Sequence, residues 1–202
     1  MKNTRIYYLL IPWFMTFAWT IQAKMVCNPH QSIINQKIKK ISQPSSKALL
    51  ASMMHDVISF GWPVSQCKCW VSSLFGPRGS GFHNGVDFAA IKGTPVYAAA
   101  DGKIQIVEKS FDVKGYGNMI LIDHEHGYKT RYAHLDRILI AQGDRVSKGQ
   151  KIGTVGATGH VITKSARSDP SHLHFEIYRK DTRIDPLLVL FAADRAWIKK
   201  QI

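Results

Sequence analysis

Three short stretches of this chain concentrate side chains that can hold a metal or carry a proton. GFHNGVDFAA contains His83 and Asp87, RYAHLDRI contains His134, and SHLHFEIYR contains His172 and His174. In the last stretch Leu173, Phe175 and Ile177 alternate with His172, His174, Glu176 and Tyr178. A strand sends alternate side chains to opposite faces, so the two imidazoles point the same way. Zinc takes imidazole nitrogen and carboxylate oxygen, and a catalytic zinc site has three protein ligands and one position left for water. One histidine of the pair can hold the metal while its neighbour contacts the water or the oxyanion. Each stretch alone also has a plainer reading. A His-x-His pair on a sheet is most often a solvated polar face, His134 can be a satisfied core histidine, and Asp87 a turn carboxylate. Gly81 and Gly85 around the first pair predict a turn entering a strand, so spacing alone does not bring His83 and Asp87 together. His30, His55, His124, His126 and His160 are read as structural or solvated.

The scaffold that must position these residues reads as β. From Gly61 onward, short β-rich runs alternate with Gly, Pro and Asp turns, and helical periodicity is almost absent between Trp62 and Tyr178. Asp101-Gly102 and His126-Gly127 read as hairpin turns, and GDRVSKGQKIG as a further hairpin. The expected fold is mainly β, a compact and largely antiparallel β-sheet domain with a short helical N-terminal extension. The extension is predicted from Ile34, Ile38 and Ile41 at helical spacing, a break at Pro44-Ser45-Ser46, and the amphipathic KALLASMMHDVISF. DPLLVLFAADRAWIKK reads as a short helical tail.

Composition limits the setting. Lys plus Arg is 27 against 14 for Asp plus Glu, a formal charge of +13, which suits nucleic acid, a membrane surface or an anionic polymer. No nucleic-acid recognition motif accompanies the charge, so nucleic acid is not an expected partner. The N-terminus has Lys2 and Arg5, an apolar run from Ile6 to Thr20, and small or polar residues around Ala23, the layout of a secretory signal peptide. Ile21 is a poor residue before that cleavage point, so an uncleaved anchor with weak membrane association stands as the alternative. Cys27, Cys67 and Cys69 make an odd count for an exported protein, and Cys67 and Cys69 are too close to bridge without strain. The expected organisation is 1–23 signal peptide or anchor, 24–60 helical prosegment or linker, 61–190 the β domain, and 191–202 a tail. The chain is expected to be monomeric.

Taken together, the stretches resemble the lysostaphin/LytM-type zinc peptidases, which cut peptide cross-links in bacterial peptidoglycan. The likeness runs from about Trp62 to Leu190. It covers SSLFGPRGSGFHNGVDFAAIKGTPVYAAADGKI, then GYGNMILIDHEHGYKTRYAHLDRILIAQGDRVSKGQKIGTVGATG, then HLHFEIY and IDP, with H-x-x-x-D and H-x-H intact and in order. The resemblance implies one Zn2+ held by His83, Asp87 and His174, with His134 and His172 as catalytic histidines. It implies peptidoglycan stem-peptide cross-links as substrate, and a periplasmic or cell-envelope location. Non-enzymatic relatives that bind or activate a cell-wall amidase are the alternative, but they lose ligands or catalytic histidines, and all five positions are present here. One departure is HVITKSARSDPS, which replaces a short turn before the H-x-H strand. It carries Lys164 and Arg167, and it is read equally as a groove-shaping loop or a tolerated surface insertion. GDRVSKGQKIG also resembles the lipoyl and biotinyl carrier hairpin, but Lys148 lacks the attachment motif.

Overall fold

A computed structural model of the chain describes residues 36, 58–109, 115–161, 169–191 and 193. The segment 1–23, most of 24–60 with Cys27, the loop residues Lys164 and Arg167, and the end of the C-terminal tail lie outside the described residues.

Thirteen strands make up the described fold: β1 (Trp70–Ser73), β2 (Gly76–Arg78), β3 (Gly81–His83), β4 (Val86–Ala89), β5 (Pro95–Tyr97), β6 (Gly102–Glu108), β7 (Met119–Asp123), β8 (Tyr128–Ala133), β9 (Leu135–Ile138), β10 (Arg145–Val146), β11 (Lys151–Val155), β12 (His172–Arg179) and β13 (Thr182–Ile184). The main sheet runs β1-β4-β12-β8-β7-β6-β10, with β13 also paired to β12; a second sheet runs β5-β11-β9, and β2 and β3 form a separate ribbon. Every strand pair in these sheets is antiparallel. The fold is therefore mainly β and largely antiparallel, as the residue pattern predicts. Residues 186–191 are helical. Among the described residues no helix is long and apolar enough to cross a membrane.

Alternation explains which face does what. Val86 and Phe88 of β4, Tyr132 of β8, Ile120 and Ile122 of β7, and Leu173, Phe175 and Ile177 of β12 join one buried cluster. Val96, Ile152, Val155 and Leu135 from the second sheet pack into the same cluster. Burial of each large aliphatic or aromatic side chain contributes about 1.5–3 kcal/mol, so β12 is held in register by its own alternate residues. The opposite face of β12 is not a solvated sheet face, however. Glu176 is 0% exposed and His174 6%, because loops and neighbouring side chains cover that face as well.

Two expected hairpins are absent. β5 pairs with β11 and not with β6, so Asp101-Gly102 carries the chain from one sheet to the other. GDRVSKGQKIG does the same, since β10 pairs with β6 while β11 pairs with β5 and β9. Turn residues fix a local reversal; the sheet each flanking strand joins is decided by distant partners. His126-Gly127 does close a hairpin between β7 and β8, with both residues at positive φ, 55° and 71°. His124 is structural: it is buried, with Nδ1 2.7 Å from Asp101 O and Nε2 2.7 Å from Thr130 Oγ1.

Candidate metal centre

Three adjacent strands bring the site together. In the β4–β12 ladder His174 lies opposite Asp87, and in the β12–β8 ladder it lies opposite Ala133. Paired residues share a face, so the Asp87 carboxylate is delivered to His174 by register alone. His134 follows Ala133 at the end of β8 and turns out of the strand with φ 59°, a left-handed conformation that histidine tolerates better than most residues. His172 sits two residues before His174 on the same face. His83 ends β3 and reaches the cluster through the turn at Asn84 and Gly85. A Cβ at Gly85 would lie 2.4 Å from Phe175 O and 3.0 Å from both His174 Cε1 and Glu176 Cγ. Only glycine lets the His83 arm lie this close to β12.

His83 Nε2 is 3.1 Å from Asp87 Oδ1 and 3.1 Å from His174 Nδ1, and His174 Nδ1 is 2.8 Å from Asp87 Oδ1. Among the described residues these three side chains form a group able to hold a metal ion. The chemistry of the donor set fits a cation. His83 Nδ1 donates to Leu74 O at 2.8 Å, which leaves Nε2 of the neutral ring without a hydrogen. That bare nitrogen faces a carboxylate oxygen and a second imidazole nitrogen, and positive charge at their meeting point resolves the repulsion between lone pairs. The titration tendencies agree. Burial acts to raise the Asp87 carboxyl, but hydrogen bonds and charge from His174 and His83 overcome it and hold the group well below the usual carboxylate range. Burial acts to lower His174, but bonds to Asp87 and then Glu176 leave it raised. Arg78 Nη2 lies 3.3 Å from the other Asp87 oxygen, Oδ2.

His134 and His172 stand beside this group, with ring centroids 4.7 Å apart. His134 is 5.9 Å from His174 by the same measure, and His172 Nε2 is 3.9 Å from Asp87 Oδ1. His134 Nδ1 donates to Thr158 O at 2.8 Å and His172 Nδ1 to Pro170 O at 2.9 Å. Each therefore presents a free Nε2. Burial, then the neighbouring His172, pushes the His134 imidazole down to about 4. All five residues singled out in the sequence thus lie in one cluster. A cavity of about 530 Å³ lined by Asp101, Asp123, Glu125, Arg145 and others contains none of them.

Behind His174 stands a shell that the H-x-x-x-D and H-x-H spacings do not mark. His174 Nε2 lies 3.1 Å from Glu176 Oε1, which also accepts from Tyr116 Oη at 2.7 Å. Glu176 Oε2 accepts from Tyr178, from Arg131 Nη1 at 3.0 Å and from Arg183 Nε at 3.5 Å. Burial acts to raise the Glu176 carboxyl, but bonds from His174, Tyr178 and Tyr116 and the Arg131 charge hold it down at about 2. The signal was available: Glu176 continues the His172, His174 alternation.

Comparison with known proteins adds four findings. Residues 81–186 match the model of Peptidase family M23. The chain is 44% identical over 105 residues to the peptidoglycan DD-endopeptidase ShyB of Vibrio cholerae, covering 52% of this chain and 22% of that protein. It is 39% identical over 134 residues to the murein hydrolase activator NlpD of Escherichia coli, covering 66% of this chain and 32% of that one. Among solved structures, a zinc-containing peptidase from Vibrio cholerae matches with a TM-score of 0.56 at 36% identity, over 66% of this chain and 40% of that one. The chain spans well under two thirds of these relatives' own length.

Proposed function

The chain belongs to peptidase family M23, and from that premise we propose that it is a zinc-dependent endopeptidase cutting the stem-peptide cross-links of bacterial peptidoglycan. We place the activity in residues 61–190, exported to the periplasm or cell envelope. The observation that carries the reading is the convergence of His83 Nε2, His174 Nδ1 and Asp87 Oδ1 within 3.1 Å of one another, with His134 and His172 alongside. These three would hold Zn2+. Bound there, Zn2+ supplies Lewis-acid polarisation of the scissile carbonyl and lowers the pKa of a water toward about 7.

The chain's own residues supply the proton transfers. His134 and His172 are each fixed through Nδ1 to a backbone carbonyl, so their Nε2 atoms are oriented before substrate arrives. One accepts the proton of the attacking water at Nε2; the other, entering the step as the imidazolium, donates its Nε2 hydrogen to the oxyanion or to the departing amine. His134, kept neutral by burial, is available as an acceptor throughout the neutral range. No serine or cysteine nucleophile is required.

The test is digestion of purified sacculi by the full chain carrying one equivalent of Zn2+, with the released muropeptides weighed by mass spectrometry. Cross-linked dimers should fall and single stems rise; a chelator should stop this and Zn2+ restore it. Sacculi of several cross-link types left intact by folded, zinc-loaded protein would sink the enzymatic reading. A second reading, a domain that activates a cell-wall amidase without cutting, draws support from the likeness to NlpD. It predicts stem peptides freed from glycan only when an amidase is added.

A further inference from the structure

We propose that Glu176 is a positioning residue that makes Nδ1, and not Nε2, the metal-facing nitrogen of His174. This rests on the metal-centre reading above. The four histidines of the cluster do not present themselves alike. His83, His134 and His172 each give Nδ1 to a backbone carbonyl, at 2.8, 2.8 and 2.9 Å, and keep Nε2 for the site. His174 is reversed: Nδ1 faces Asp87 and His83, and Nε2 faces Glu176 Oε1 at 3.1 Å. The acceptor behind it is a carboxylate, not a carbonyl.

The surroundings of Glu176 commit it to accepting. Its side chain is fully buried between two guanidinium groups, where a carboxylate is stabilised as an anion and has no proton to give. Arg131 is itself held, with its guanidinium carbon 4.5 Å from the Tyr116 ring centroid and 5.3 Å from that of Tyr178. Arg131 is also the direct cross-strand partner of Glu176. Oε2 is occupied by Arg131, Arg183 and Tyr178, which turns Oε1 toward His174 and Tyr116. With an acceptor-only group at Nε2 the hydrogen stays there when a cation takes the place of the one that Nδ1 shares with Asp87, and Nδ1 is then bare for the metal. A buried ion pair kept only for stability is commonly replaceable by apolar residues without loss. Here the carboxylate also fixes ring orientation and raises the basicity of the ligand, as outer-shell carboxylates do for metal-bound histidines.

Two measurements test this on the full chain. Zn2+ affinity is read by competition with a chromophoric chelator for wild type and Glu176→Gln, after circular dichroism has established that both are folded. The affinity of Glu176→Gln should fall by about 10- to 100-fold; a folded variant within twofold of wild type would overturn the proposal. The second measurement needs no variant. Nitrogen-15 NMR of the Zn2+-loaded wild type should find the His174 hydrogen on Nε2 and none on Nδ1. A hydrogen on Nδ1 would overturn the proposal even if Glu176→Gln does not fold. If wild type binds no Zn2+ the metal-centre reading fails; if it binds Zn2+ and His174 keeps its hydrogen on Nδ1, only the role of Glu176 fails.

Discussion

Removing His174 and removing His172 should damage the protein differently, although they lie two residues apart on one face. His174→Ala deletes the nitrogen that meets both Asp87 and His83, so zinc affinity should drop by at least about 10²-fold. His172→Ala leaves that trio untouched. It should keep zinc and lose turnover by roughly 10²- to 10⁴-fold, the range for a positioned acid or base. Metal analysis of the purified variants, with muropeptide release measured in parallel, separates the two outcomes; equal zinc loss in both would mean their roles are misassigned. The shared direction of these side chains was legible from alternation alone. Which ring nitrogen each histidine of the cluster presents was not, because for His83 and His134 that depends on the carbonyls of Leu74 and Thr158, which only folding brings close.

At the level of elements, the site depends on how closely the β3–β4 turn lies against β12. Gly85→Ala would set a methyl group 2.4 Å from the backbone oxygen of Phe175, which β12 cannot yield without disturbing its ladder to β4. The expected cost is about 1–3 kcal/mol, as for other overpacked sites. Because His83 rides on the displaced turn, zinc affinity should fall with stability. Thermal melting and chelator competition check this; a variant with wild-type melting temperature and affinity would show that the contact can relax. The glycines of GFHNGVDFAA predicted a turn entering a strand, and this is where β3 meets β4. Pairing was harder to read. Asp101-Gly102 carries turn residues as good as those of His126-Gly127, yet only the latter joins paired neighbours. β5 finds its partner in β11 more than fifty residues along the chain, and nothing local to either strand records that.

For the whole molecule, acid should unfold the metal-free protein through its buried carboxylates. Glu176 is held at about 2, below its ordinary 4.5, and Asp87 is also lowered. A group depressed in the folded state contributes stability that is complete above its unfolded pKa and is lost as pH falls through the folded one. For Glu176 that window runs from about 4.5 to about 2 and is worth on the order of 3 kcal/mol. His134, lowered to about 4, loses stability on the same descent from its ordinary 6.5. His174, raised, gains between its folded pKa and 6.5 and is flat below, so it does not offset the losses of His134 and the carboxylates below 6.5. The excess of basic residues, +13 at neutral pH, adds self-repulsion that steepens acid unfolding of any variant. The informative quantity is therefore the difference between wild type and Glu176→Gln, whose charge differs only at this site. Urea unfolding of both, without metal and at constant ionic strength, should give a wild-type stability that falls faster between pH 4.5 and 2.5. The excess slope should approach one proton per molecule, about 1.4 kcal/mol per pH unit. Parallel curves would mean that the Glu176 carboxylate carries no net folding energy, however many donors surround it.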